Sequence, residues 1–337
     1  MKLKVAAVHA APIFMNVKAS LEKAIRYIEE AHKKGINLLV FPETFIPGYP
    51  YFIECYPPLK QTNALSQYTD CSIELQSSEI KHLQKAAHHF NVAIVMGISE
   101  RLTGTRTCFN SQVFIDSDGT LLGVHRKLQP TYVERIVWAQ GGGNTLKTFR
   151  SSLGILGGLA CWEHTMNLAR HTLITQGEMI HAASWPALST MSDFELANAQ
   201  IEAMMKTHAL TGQCFVVSAS NYVDETCLSW MKNNLGEQNL VKEGGGWSAV
   251  IHPFCSFLAG PHVGNKERLV EAEIDLDDIK YVKQWVDSAG HYSRPEILKH
   301  TVIHAPLWHD EADNVITGYS AYIVDESKNI KTDEKSS

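Results

Sequence analysis

Gly157-Gly158-Leu159-Ala160-Cys161-Trp162-Glu163-His164 sets a cysteine at the end of an apolar segment, where a tight turn should begin. The residues from Leu153 to Ala160 include several glycines and no charge, and read as a buried strand. Polar Glu163-His164-Thr165 reads as the exit of that strand into a loop or helix. A thiol at a strand-to-helix turn is presented for attack, and backbone N–H groups just past such a turn can face a developing anion. A lone cysteine in an apolar segment is ordinarily an inert core residue, so Cys161 needs partners before it has a role.

Outward from this strand, the pattern alternates. Residues 5–8 read as a strand, and Asn16 then caps a helix whose apolar residues Leu21, Ala24, Ile25 and Ile28 share one face, ending before Gly35. A strand at 37–41 is followed by a long loop, 46–75, rich in proline and tyrosine, and by a second amphipathic helix built on Ile80, Leu83, Ala87 and Phe90. Strands at 92–97, 109–115 and 120–125 come next, the last two joined as a hairpin by Ser117-Asp118-Gly119. The second half repeats the style, with strands at 155–160, 179–183, 214–220 and 269–274, helices at 166–176 and 193–211, and a hairpin at 247–258. Amphipathic helices among mixed strands fit two sheets packed face to face with helices outside. The polar segment 224–246, closed by three glycines, reads as a mobile surface loop, and the charged stretch from Asp325 to Ser337 as disordered.

Three further residues give Cys161 a chemical context. Asn37-Leu38-Leu39-Val40-Phe41-Pro42-Glu43 is a strand stopped by proline, with the Glu43 carboxylate at its C-terminal edge. Leu121-Leu122-Gly123-Val124-His125-Arg126-Lys127 does the same for an ammonium, and Thr131 to Trp138 holds Glu134 in an apolar and aromatic setting. On Phe41-Pro42-Glu43, Arg126-Lys127 with Pro130-Thr131, Glu134-Arg135, Cys161-Trp162-Glu163-His164 and Gly290-His291-Tyr292-Ser293-Arg294-Pro295, the chain resembles the nitrilase superfamily and, within it, the nitrile-hydrolysing branch. The motifs stand in the family's order, and the similarity runs from residue 4 to about residue 300.

The resemblance implies a four-layer α-β-β-α sandwich, dimers that build larger assemblies, and four catalytic residues. Glu43 would be the general base, Lys127 the group stabilising the tetrahedral species, Glu134 the accessory carboxylate and Cys161 the nucleophile. It also implies one carbon–nitrogen hydrolase domain over 1–300 and a C-terminal extension over 301–337. The chemistry justifies these residue types on its own terms. A nitrile carbon is a weak electrophile, and a thiol of pKa about 8.5 is only a few per cent thiolate at neutral pH, so a nearby base is required. Glu43 serves only if burial and the Glu134 charge raise its pKa, against the pull of Lys127. Glu163 and His164 read as structural supports, since His164 is too close in the chain to Cys161 for a papain-like pair.

Composition narrows the remaining classes. The 337 residues are 45% hydrophobic and 20% charged, enough for one large domain. A net charge of −6 without a lysine or arginine run argues against nucleic-acid binding, and no window approaches a membrane span. Seven widely spaced cysteines without a C-x-x-C point to free thiols in a reducing cytoplasm. His88-His89 reads as the polar face of a helix, and neither a metal nor a cofactor is expected. Tyr49, Trp138, Trp162 and Trp185 are candidates to bind the substrate, an arylaceto- or aliphatic nitrile that reacts with water. An amidase, carbamoylase or cyanide-converting enzyme of the same superfamily is the alternative, and an inactive scaffold a distant one.

Overall fold

The computed structural model describes residues 1–190 and 197–312. Among the described residues, twelve strands form two six-stranded sheets. The first contains β1 (Lys2–His9), β2 (Leu38–Val40), β3 (Ala93–Arg101), β4 (Cys108–Ile115), β5 (Leu121–Arg126) and, at its far edge, β12 (Arg268–Asp275), in the order β12-β1-β2-β3-β4-β5. The second contains β6 (Phe149–Ser151), β7 (Gly154–Ala160), β8 (Ile180–Trp185), β9 (Phe215–Ser220), β10 (Trp247–Ile251) and β11 (Phe257–Val263), in the order β11-β10-β9-β8-β7-β6. At the centre of each sheet three strands run parallel, and the outer pairings are antiparallel.

Because side chains alternate along a strand, the central strands are apolar on both faces and serve two cores at once. Val5 and Ala7 of β1 and Ala93 and Val95 of β3 point between the sheets, where they meet Leu156, Ile180, Phe215 and Val250. Ala6, Val8, Ile94 and Met96 point the other way, onto helices α1 (Val17–Lys33) and α3 (Ser78–Phe90). On the opposite flank, Ala183, Val216 and Ala249 pack beneath Ile201, Met205 and Ala209 of α5 (Ala197–Gly212). Leu159 meets Ala169 and Leu173 of α4 (Asn167–Thr175). The result is the expected α-β-β-α sandwich. Across its middle, the Phe114 and Phe149 rings pack against each other at a tilt of 33°, with centres 4.4 Å apart.

Local rules place the helix ends. Asn16 accepts a hydrogen bond from the Ala19 N–H at 3.1 Å, as expected of an N-cap, and Asn91 ends α3 in the left-handed region at φ 53°. Two segments differ from the sequence reading. The 46–75 loop contains α2 (Thr62–Cys71), which buries Ala64 and Tyr68 one turn apart. The 224–246 segment begins with α6 (Glu225–Leu235) and is not simply a loop. Asp224 caps that helix by accepting from the Cys227 N–H at 2.9 Å, and Cys227 and Met231 bury at i and i+4. The polar asparagines on its outer side obscured this two-residue stripe.

Of the helix read over 193–211, the part from Ala197 is seen and residues 193–196 lie outside the described ones; so does the tail from Asp325. After α7 (Asp278–Trp285), the chain returns to the first sheet: the Arg126 guanidinium pairs with Glu100, with Asp310 and with Glu311. All seven cysteines are free thiols. No helix among the described residues is long and apolar enough to cross a membrane.

Candidate active site

Four chain segments deliver the reactive side chains to one place: the C-terminal ends of β2, β5 and β7, drawn from both sheets, and a helical turn after β5. Phe41 still donates to Val95 of β3, but Pro42 has no N–H to continue the ladder, so the backbone turns there and presents Glu43. The approach is close. A Cβ on Gly97 would lie 2.1 Å from the Pro42 carbonyl oxygen and 2.7 Å from the Thr44 nitrogen, so only glycine fits. Lys127 continues β5, its N–H bonded to the Asn110 carbonyl at 2.8 Å. Glu134 sits in a helical turn, Tyr132–Ile136, and its Oε2 accepts the Thr131 N–H at 2.8 Å in a capping box. Cys161 follows β7 at φ 53°, the strained left-handed corner of a nucleophile elbow. Thr44 and Tyr132, beside or near the two acids, also have positive φ, at 43° and 45°.

The four side chains converge. Lys127 Nζ donates to Glu43 Oε1 at 3.0 Å and to Glu134 Oε2 at 2.8 Å. One oxygen of each acid and the Cys161 sulfur all lie within 4.8 Å of one another. Asn110 Nδ2 donates to Glu43 Oε1 at 2.5 Å, and the Tyr49 hydroxyl to Glu134 Oε1 at 3.0 Å. That leaves Glu43 Oε2 as the one carboxylate oxygen of the pair that accepts no hydrogen bond from any described residue. The Lys127 ammonium already fills the space between the carboxylates that a metal cation would take.

Burial governs the electrostatics, since all four residues are at most 1% exposed. It pushes the Cys161 thiol well above its ordinary pKa; the Glu43 charge adds to this while Lys127 and the Trp162 N–H oppose it. At rest the sulfur is therefore protonated. Burial also takes Glu43 up to about 7, with Lys127 pulling it down and Glu134 pushing it up. Burial works against the Lys127 ammonium, but Glu134 and Glu43 outweigh it and hold the amine charged. Thus the site combines a neutral thiol, a permanent cation and a carboxyl group that can hold or release a proton near neutrality.

The supporting residues follow from the same packing. Glu163 accepts the Ala160 N–H at 3.0 Å, the Leu128 N–H at 2.8 Å and His125 Nε2 at 3.1 Å, clipping the end of the Cys161 strand to that of the Lys127 strand. His125 Nδ1 faces the Thr145 carbonyl at 3.1 Å, so both ring nitrogens must donate and the ring is an imidazolium. Of the aromatic candidates, Tyr49 touches Glu134 directly, Trp162 is half-buried beside the nucleophile, and Trp185 stacks on His164 with centres 5.1 Å apart. Trp138 lies behind Tyr49 and donates to Ser99 Oγ at 2.9 Å. Sequence reasoning missed Asn110, for which a strand residue offers no local signal. The Thr131-x-x-Glu134 capping box was missed too, although its spacing is a local signal that could have found it.

The chain is similar to known proteins over most of its length. The family model described as carbon-nitrogen hydrolase matches residues 4–284. A protein named aliphatic nitrilase from Rhodococcus rhodochrous is 37% identical over 299 residues, covering 88% of this chain and 81% of its own. A nitrilase from Pseudomonas syringae pv. syringae is 35% identical, covering 88% of each chain. The solved structure of a carbon-nitrogen hydrolase from Helicobacter pylori G27 shares the fold with a TM-score of 0.69 at 21% identity, over 89% of this chain and 100% of that one.

Proposed function

This chain belongs to the carbon-nitrogen hydrolase family, in its nitrilase branch, and we propose that it converts an organic nitrile to a carboxylic acid and ammonia through a covalent intermediate on Cys161. The observation that carries the reading is the single Lys127 ammonium held between two buried carboxylates beside a buried thiol. A protonated thiol needs a base. Glu43, near half-ionised at neutral pH and with Oε2 uncommitted, takes the proton as sulfur attacks the nitrile carbon. Charge develops on the nitrile nitrogen, where Lys127 and the Trp162 N–H stabilise it, and Glu43 returns its proton there to give a thioimidate. Water, deprotonated by Glu43, adds to the thioimidate carbon; the nitrogen leaves as ammonia and a thioester remains. A second water cleaves the thioester, releasing the acid and the free thiol. Glu134 holds Lys127 in place and charged.

A linear C≡N group needs little width, which suits a nucleophile only 1% exposed. Tyr49, Trp138, Trp162 and Trp185 are proposed to bound the substrate's organic group, with aliphatic and arylaceto- nitriles as the class. The chain is further proposed to work as a self-associated catalytic domain, 1–300, followed by an extension, 301–337. Exposed Tyr281, Trp285 and Tyr292 supply apolar surface for that association. A predominantly monomeric boundary in sedimentation velocity would contradict it.

The deciding experiment incubates the protein with aliphatic nitriles, arylacetonitriles, the matching amides and cyanide, measuring ammonia and the carbon product. Acid plus ammonia from nitriles is expected, and Cys161→Ala should abolish it while the protein stays folded. Ammonia from amides with none from nitriles would overturn the proposal.

A further inference from the structure

Beneath the elbow lies a second buried cluster that the mechanism does not use: His164, His181 of β8, Glu178 just before it, and His208 of α5. We infer that this cluster is a proton-bearing relay that polarises the Cys161–Trp162 peptide, making His181 and Glu178 positioning residues for the nucleophile. The inference rests on Cys161 being that nucleophile.

Hydrogen-bond counting carries the argument. His164 Nδ1 lies 2.6 Å from the Cys161 carbonyl oxygen, which only accepts, so Nδ1 bears a proton. His164 Nε2 and His181 Nε2 are 2.9 Å apart, and one of them must donate to the other. His181 Nδ1 lies 2.7 Å from Glu178 Oε1, and His208 Nε2 lies 2.8 Å from Glu178 Oε2. With Glu178 as carboxylate, His181 Nδ1 also donates. Two imidazoles then hold three protons where two neutral rings would hold two, so the pair carries one positive charge against the Glu178 anion. Burial alone would raise Glu178, but His181 and His208 outweigh it and take its pKa to about 2, consistent with the anion. Burial lowers His208 to about 4, leaving it a neutral Nε2 donor. The other charged or titratable groups bearing on the cluster are Arg170 of α4 and Cys214.

The consequence reaches the sulfur through one peptide group. The Cys161 carbonyl accepts the relay's bond at one end of the peptide, and the Trp162 N–H at the other end is a group that favours the Cys161 thiolate against burial. Withdrawing electron density at the carbonyl strengthens the N–H as a donor, since chained hydrogen bonds polarise one another. The same bond ties down a residue held at φ 53°. The positive charge thus supports the anionic sulfur and the anionic tetrahedral species without touching either.

Glu178→Gln separates charge from architecture. The amide oxygen accepts from His208, its NH₂ donates to His181 Nδ1, and two neutral rings keep every hydrogen bond while the ion pair disappears. We expect kcat and the rate of Cys161 alkylation by iodoacetamide to fall about tenfold, part of the 10²- to 10³-fold that a whole oxyanion donor is worth, with KM little changed. In ¹⁵N-histidine NMR the parent should show three protonated nitrogens across His164 and His181, and the variant two. If Glu178→Gln does not fold, His164→Asn keeps a donor to the Cys161 carbonyl but cuts the relay, and should show the same kinetic loss. Two neutral rings in the parent, unchanged kinetics in a folded variant, or stoichiometric zinc bound among Glu178, His208 and Cys214 of the purified protein would each overturn the relay. The nucleophile assignment fails separately, by turnover in Cys161→Ala.

Discussion

Replacing Glu134 with glutamine should move the acid side of the pH–rate profile toward lower pH. In the parent, Glu43 is raised to about 7, first by burial and in part by the Glu134 charge, so kcat/KM should climb through that region as the base ionises. One oxygen of each acid lies within 4.8 Å of the other, a separation at which two unit charges repel by about 3 kcal/mol at an effective dielectric constant of about 20. At about 1.4 kcal/mol per pH unit, that corresponds to a shift of about 2 to 2.5 units between two fully charged groups. The sign is fixed by the charge removed: a carboxyl relieved of a neighbouring anion ionises more easily, so its pKa falls. Lys127, released from Glu134, leans further toward Glu43 and pushes the same way. We expect a midpoint about 1 to 2 units lower, at reduced kcat because Lys127 is less well held. Ammonia release between about pH 5 and about pH 9 reads the profile, and carboxymethylation of Cys161 reads it if turnover is too slow. An unmoved midpoint, or one displaced upward, would refute the account of Glu43 as a base tuned by Glu134.

Other expectations test the frame around the site. Gly97→Ala forces a Cβ into the Pro42 carbonyl and should cut kcat by about 10²-fold or more by displacing Glu43, with circular dichroism still native; near-parental activity would show that the contact is not needed. Phe114→Ala removes the ring that packs against Phe149 between the sheets, and should lower unfolding free energy by about 3 to 5 kcal/mol in a urea titration. The Glu178 carboxyl, depressed from 4.5 to about 2, contributes stability that is present above about pH 4.5 and lost as pH falls toward 2, about 3 kcal/mol in all. Acid unfolding of Glu178→Gln should accordingly depend less steeply on pH in that window, and an identical slope would count against the ion pair.

Much of the scaffold is written in short-range pattern. The short apolar runs of β1 and β3, the Asn16 cap, the proline that stops the strand before Glu43 and the glycine-rich run into Cys161 are each decided within a few residues, where backbone hydrogen bonding and side-chain period act. Where the pattern is thin, as in α6 with its two buried positions, local reading took a helix for a loop.

The identity of the four reactive residues was likewise open to inspection, because thiol, amine and two acids are the groups such a reaction needs. Their meeting was not. Glu43 and Lys127 stand 84 residues apart and touch because the first sheet brings the ends of β2 and β5 to a common edge, where the packed second sheet adds Cys161 after β7. Asn110 likewise meets Glu43, Tyr49 meets Glu134, and the path from Cys161 through His181 to His208 forms only once distant segments have folded together. Residue types and strand ends are properties of the chain alone. Protonation states arise only when burial strips water from charges that packing has forced together, and that is decided in three dimensions.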